Sequence, residues 1–436
     1  MVYSMKRKEN DLQITINDFR AIKEADIALN GITVLAGING SGKSTVSQLL
    51  YFLLHEMNNY NGIVFRKLYS SIRPYLNVLE NIVLSSVRNF DDYRKYSNLL
   101  RVNSFDDLQI IQENVTSVCK AILSFKEEEE KRLHSENSIN RYRRMLINTI
   151  DADENMSFED ALKNLEDLIS KEINTSKEYI RKRPSSLLNE SFEESFGKGS
   201  CKKVTISEYG DSIFSEDRRT VPIPHFVSNL FYIDTPYAID DVHSQNREDL
   251  YNALRASNSR KDSPIASYIE RQVIKGQASY EKTDNYSGFF FQDKRGNKFR
   301  LSLAATGIKS FSIIQLLLRN GKIDEDTLLI LDEPESHLHP QWIVDYARMI
   351  VLLHKTVGTK FLISSHSPDM VSAIRYIADS EKCTDNLEFY TTRQAYDGTG
   401  RFNFISTGLD IDPIFKSFNK SYERLNHYLR GHEQEE

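Results

Sequence analysis

Hydrophobic and polar positions alternate twice near the start of the chain, in "LQITINDF" (12–19) and around "ADIAL" (25–29). Each stretch predicts a strand with one buried face. The pattern then becomes continuous. "GITVLAG" (31–37) reads as a fully buried strand, and "STVSQLLYFLL" (44–54) as a helix that begins where the glycines end. From about Arg88 to Leu188 the strand signals fade. "VTSVCKAILSFKEEEEKRLHSENSINRYRRMLINTI" (115–150) and "SFEDALKNLEDLISKEINTSKEYIRKR" (157–183) predict helices separated by the polar turn "DADENM". In the second, Ala161, Leu162, Leu165, Leu168, Ile169 and Ile173 recur at helical spacing, and Ser157 precedes Asp160 as an N-cap would. The polar stretch 189–200 reads as a hinge.

Strand patterns return in "KKVTISEYG" and "FVSNLFYIDTP". "SGFFFQD-KRGN-KFRLSLA" predicts a hairpin with its tight turn at Gly296. A helix starting near Gly307, the strand "DTLLILDEP", the helix "PQWIVDYARMIVLLHK", the strand "TKFLISSHSP" and a further helix follow. Such alternation predicts a three-layer α/β core. The expected organisation is residues 1–87 as the first part of that core, 88–200 as a helical insertion or short arm, and 201–436 as the rest.

Composition narrows the function classes only slightly. A chain of 436 residues with 40% hydrophobic and 27% charged positions is ordinary for a soluble protein. Its formal charge of −6 gives no global sign of nucleic-acid binding. The three cysteines, Cys119, Cys201 and Cys383, have neither metal-site nor disulfide-framework spacing, and fit a reducing compartment. No membrane-length apolar run and no signal segment is visible, so a cytoplasmic location is expected.

"GINGSGKS", Gly37 to Ser44, fits G-x-x-x-x-G-K-[ST] between a predicted strand and helix. Small residues at Gly37, Asn39, Gly40, Ser41 and Gly42 let backbone N–H groups turn inward around phosphates, and the helix start adds its positive end. Lys43 brings a point charge to the β- and γ-phosphates, Ser44 a hydroxyl to Mg²⁺, and Thr45 reaches toward the α-phosphate. "LLILDEPE" then delivers two acids at a strand's carboxyl end, where open α/β sheets bind ligands. Asp332 is expected to hold Mg²⁺, directly or through water, and Glu333 to orient and deprotonate the attacking water. His366, at the next strand end, is read as a γ-phosphate contact, against the alternative of a histidine capping the turn before Pro368. A zinc cluster of His337, His339 and His366 is disfavoured, because no further Cys or His lies nearby and Mg²⁺ needs oxygen ligands.

Together, "FRAIKEADIALNGITVLAGINGSGKS", "LAATGIKS", "LDEPESHLHP" and "ISSHSPDMV" resemble the RecF/SMC-type ABC ATPases. Within these the resemblance is closest to the AAA-family ATPases of OLD- and Septu-like bacterial defence systems. It covers about Leu12 to Asn58 and Phe231 to Tyr376, and implies a P-loop ATPase head using ATP and Mg²⁺. It also implies a homodimer or higher homo-oligomer closing around two ATPs, without a membrane. In such proteins a signature at a helix start grips the γ-phosphate held by the other subunit. "AATGI" (304–308) takes that place, with Ala305 where serine is usual, Thr306 where the first glycine is usual, and Gly307 retained. Thr306 can then substitute a hydroxyl and Lys309 a charge; a simple N-cap at Thr306 and Gly307 is the alternative. Ser336 to His339 correspond to the D-loop, and a Q-loop glutamine is not placed, Gln112 being a weak candidate. The resemblance further implies a separately encoded nuclease effector, as in anti-phage defence. Alternatives are a RecF-like repair ATPase and a slow-turnover, nucleotide-gated scaffold; a transporter head fits poorly with so large an insertion. DNA contact through Arg141 to Arg144 or Arg181 to Arg183 competes with ordinary solvated helix faces.

Overall fold

The computed structural model describes residues 11–86, 90–102, 108–130, 135–234, 245–256, 263–282, 287–336 and 338–418. The chain forms two compact units. One comprises the first 58 residues, Phe192–Arg218 and everything from Pro222; the other comprises Asn59–Ser191 with 219–221.

The first unit is built on a ten-stranded sheet. Its strands are β1 (Leu12–Phe19), β2 (Ile22–Ala28), β3 (Ile32–Ala36), β4 (Val204–Glu208), β5 (Asp211–Phe214), β6 (Asn229–Ile233), β10 (Thr327–Asp332), β11 (Lys360–Ser365), β12 (Leu387–Gln394) and β13 (Phe402–Gly408). Beside it stands a three-stranded antiparallel sheet of β7 (Gly276–Lys282), β8 (Ser287–Asp293) and β9 (Lys298–Arg300). The large sheet runs β5-β4-β1-β2-β13-β12-β3-β11-β10-β6. Neighbours from β12 through β3, β11 and β10 to β6 are all parallel, whereas β12–β13, β1–β2, β1–β4 and β4–β5 are antiparallel. Parallel strands covered on both faces should read as continuous apolar runs. β3 is buried at every position, β10 everywhere but its last residue, and β11 everywhere but its first.

Strand alternation divides the two faces. Ile32, Val34, Leu329, Leu331, Phe361 and Ile363 point into a core shared with α10 (Thr306–Arg319), α11 (Pro340–Val357) and α12 (Pro368–Ser380). Asp332, Ser364 and Tyr232 point the other way, toward α1 (Lys43–Asn58). Two shorter helices, α8 (Gln245–Arg255) and α9 (Pro264–Tyr268), and the terminal α13 (Asp412–Phe418) complete the layers. The predicted three-layer core is therefore present, and the predicted hairpin is β8–β9 with Gly296 at φ 87. Three strands escaped the sequence reading: β5, β7, and β13, which enters between β12 and β2.

The second unit contains α2 (Tyr60–Ser86), α3 (Phe90–Leu99), α4 (Leu108–Glu130), α5 (Ser135–Ile150) and α6 (Phe158–Lys182). Their apolar stripes meet in one core, with Leu68, Ile72, Leu79 and Val83 from α2 against Leu162, Leu165, Ile169 and Ile173 from α6. Because that stripe begins on α2, the compact unit starts at Asn59, well before the boundary read at residue 88. The predicted cap is observed: Ser157 Oγ accepts from Asp160 N at 3.1 Å.

The supposed hinge at 189–200 is largely helix, the end of α7 (Ser185–Phe196). Phe192 and Phe196, four residues apart, share a face and pack against Phe52, the first tilted and the second edge-on, while Phe192 also meets Phe214. Two aromatic anchors in an otherwise polar stretch outweigh its composition.

Candidate functional site

The parallel strands β3, β11 and β10 end together, with Ala36 opposite Ser365 and Ser364 opposite Asp332. The loop Gly37–Gly42 therefore emerges beside both later strand ends. Its glycines are required. Gly40 and Gly42 have φ of 79 and 100, a region that side chains rarely occupy, and a Cβ on Gly42 would lie 2.7 Å from Ile22 Cγ1. Gly37 packs so tightly on the Thr392 side chain that no Cβ fits. Ser41 Oγ donates to Ile38 O at 2.8 Å, tying the loop across itself, while Asn39 and Gly40 face solvent.

Lys43 begins α1 and is buried, with its Nζ donating to Gly37 O at 2.9 Å and Ile38 O at 3.1 Å. Burial lowers its pKa, while the negative charges of Glu333, Asp332 and Glu335 work to hold the proton. Ser44, one residue on, donates to Asp332 Oδ1 at 3.1 Å; Thr45 follows in the same first turn. The other carboxylate oxygen, Oδ2, accepts from Tyr232 Oη at 3.1 Å. Burial raises the Asp332 pKa, opposed by hydrogen bonds from Ser44, Tyr232 and Ser364 and reinforced by the neighbouring Glu333 charge.

The chain turns sharply after Asp332. Glu333 has φ 48, rare for a residue with a Cβ, and its N–H donates to Ser364 O at 2.9 Å. That geometry turns its side chain toward His366, whose Nδ1 lies 3.2 Å from Glu333 Oε1 without hydrogen-bonding alignment. Glu335 is buried beneath them. Its Oε1 accepts from Ser365 Oγ at 2.6 Å and from His366 N at 3.0 Å, and burial raises its pKa. Glu335 Oε2 is buried with no hydrogen-bond partner among the described residues.

Gly37, Lys43, Ser44, Asp332, Glu333 and His366 thus converge at one end of the sheet. Tyr232 and Glu335 join them and were missed. Period-two alternation in "NLFYI" puts Tyr232 on the α1 face, but nothing in the sequence pairs β6 with β10.

Thr306 and Gly307 open α10, where the N-cap is Ala305, and no side chain caps it. A cap by Thr306 itself is therefore replaced by an uncapped start. Gly307 has a packing reason of its own, since a Cβ there would run into the Trp342 ring. Lys309 is buried at 3% exposure, so it does not present the free charge suggested for it. His339 caps α11, its Nδ1 accepting from Gln341 N at 3.4 Å, and His337 lies outside the described residues. Among the described residues no group of three or more His, Cys, Asp or Glu could hold a metal. Ser44 and Asp332 do present two adjacent oxygens, the hard donors Mg²⁺ takes while keeping places for water and phosphate. Gln112 belongs to the helical unit and donates to Ser170 Oγ at 3.3 Å.

A glycine loop leading into a helix start, with an acid pair at the end of a parallel strand one place further along the sheet, defines a P-loop ATPase core. The family match agrees: the chain belongs to the AAA ATPase domain family, whose model matches residues 12–371. No curated protein matches the sequence. Among solved structures, the SMC head domain from Thermotoga maritima is similar at 11% identity, with 90% of this chain and 97% of that one covered and a TM-score of 0.36. An Smc head domain with a coiled coil and joint from Pyrococcus yayanosii shares 11% identity over 94% and 99%, with a TM-score of 0.37. A part of the cbiONQ ABC transporter complex from Clostridium perfringens shares 11% over 97% and 100%, with a TM-score of 0.33.

Proposed function

We propose that this ATPase is a conformational switch that dimerises around ATP and Mg²⁺ and hydrolyses the bond between the β- and γ-phosphates, giving ADP and phosphate. The observation that carries the reading is the 3.1 Å contact between Ser44 and Asp332, with Glu333 and His366 at the flanking strand ends. In this reading Gly37, Asn39, Gly40, Ser41 and Gly42 direct backbone N–H groups at the phosphates, and Lys43 neutralises the β- and γ-oxygens. Thr45 hydrogen-bonds the α-phosphate. Mg²⁺ held by Ser44 and Asp332 would supply charge neutralisation between the phosphates. Glu333 orients and deprotonates water, and His366 reads the γ-phosphate from the other side. Thr306 and Gly307, with the backbone N–H groups of the α10 start, complete the site of a second copy.

The resemblance to defence ATPases extends the proposal to a separately encoded nuclease effector. Direct DNA binding by the basic stretches is less favoured. Tyr142 is buried, Arg143 donates to Met156 O and Glu154 O, and Arg181 and Lys182 pair with Glu178. Ala305 in place of the usual signature serine keeps slow turnover as a second reading. No described helix is long and apolar enough to cross a membrane.

Phosphate release by wild type and Glu333→Gln tests the core of the proposal. Turnover is expected to fall roughly 10²–10⁴-fold in the variant while ATP still binds. A variant as active as wild type would remove Glu333 from the role of base.

A further inference from the structure

The two carboxylate oxygens of Asp332 have different neighbours. Oδ1 faces Ser44, and Oδ2 faces the hydroxyl of Tyr232. Tyr232 sits opposite Ile330 in the β6–β10 register, two positions before Asp332, so both side chains leave the same face of the sheet. Its ring is buried, at 5% exposure, and therefore has few other orientations to adopt.

α1 holds the ring in place with a polar stripe at 44, 47, 48, 51 and 55, the spacing of one helix face. Ser44 meets Asp332 and Ser47 meets Ser364 at 3.0 Å. Gln48 faces the Tyr232 hydroxyl, and Tyr51 lays its ring against that of Tyr232 with centroids 5.7 Å apart. Tyr51 is itself anchored: its hydroxyl donates to Asp249 of α8 at 3.1 Å, and Asp249 pairs with His55 Nε2 at 2.9 Å. A tyrosine that merely filled core volume would need neither the carboxylate bond nor this bracing.

We propose that Tyr232 is the positioning residue of the metal-side carboxylate: by binding Asp332 Oδ2 it turns Oδ1 toward Ser44, so that both donors face one Mg²⁺ site. The inference rests on the nucleotide site proposed above and adds to it a residue that touches neither nucleotide nor metal. Outer-shell partners of this kind typically change metal affinity about 10–100-fold when removed.

The test is Tyr232→Phe in the full chain, which deletes one hydroxyl and keeps the ring. Binding of a fluorescent ATP analogue is titrated with Mg²⁺ and repeated in EDTA. The expected result is a half-saturating Mg²⁺ concentration raised about 10-fold or more, with metal-free nucleotide affinity unchanged. In an Asp332→Asn background the same substitution should add no further shift. An unchanged Mg²⁺ requirement in Tyr232→Phe, or an equal shift in the Asp332→Asn background, overturns the proposal. If Tyr232→Phe does not fold, the exposed Gln48 offers a second route. Gln48→Ala should raise the Mg²⁺ requirement severalfold, and no shift there also overturns the proposal. Wild type that binds the analogue no better with Mg²⁺ fails differently, because it takes the Ser44–Asp332 metal reading down first.

Discussion

Gly307 shows how a residue can be legible for one reason and required for another. The sequence marks it as the retained glycine of a degenerate signature, and the structure adds that its α-carbon abuts Trp342. The indole has little freedom to yield, being packed edge-on against Phe311 at 5.9 Å. Gly307→Ala is therefore expected to destabilise the protein by about 1–3 kcal/mol, the usual cost of overpacking. Chemical denaturation measures this, and pairing the change with Trp342→Leu should recover most of the loss. A Gly307→Ala variant as stable as wild type would show that the ring moves freely. Glu333 is the opposite case. Its proposed role was legible from the acid pair, but its φ of 48 was not, because composition gives no hint of a left-handed backbone at a glutamate.

Among elements, those buried on both sides were the easiest to read. β3, β10 and β11 are unbroken apolar runs, and the functional residues follow directly from their ends. β13 and β7 were missed because their residues are mixed and half-exposed, so neighbours rather than pattern make them strands. The polar stripe of α1 was missed for a related reason: its meaning depends on β6 and α8, which lie far along the chain. That stripe carries a pH prediction. Burial opposes charge on His55, but its bonds to Asp249 and Glu56 outweigh this and push its pKa up to about 9. A histidine whose folded pKa exceeds its unfolded value stabilises fully below about 6.5, and the contribution is lost as pH rises through about 9. Wild-type unfolding midpoints should accordingly fall between those limits, and His55→Gln should flatten that slope. A slope unchanged in His55→Gln would assign the pH dependence to other groups.

At the scale of the whole molecule, one family model runs from residue 12 to 371 and so spans both compact units. Every residue of the proposed nucleotide site belongs to the first unit, lying before Asn59 or after Pro222. Within one chain, however, the start of α10 has an unusual set of properties: four backbone N–H groups at a helix end, no side-chain cap at Ala305, and the apolar Leu303 77% exposed just before it. Burial against a second copy gives each of these a use, with the N–H groups directed at the partner's γ-phosphate and Leu303 removed from water. Hydrolysis would dissolve such a dimer, so it should accumulate when the base is absent. Glu333→Gln with ATP and Mg²⁺ is expected to double its mass by light scattering, while Lys43→Ala stays monomeric under the same conditions because the phosphates lose their charge partner. Leu303→Asp in the Glu333→Gln background should weaken the dimer without reducing ATP binding. If Glu333→Gln binds ATP with full occupancy and remains a monomer, then α10 does not complete a second site in the isolated protein, and the degenerate signature at Ala305 and Thr306 has lost its partner-binding role along with its serine.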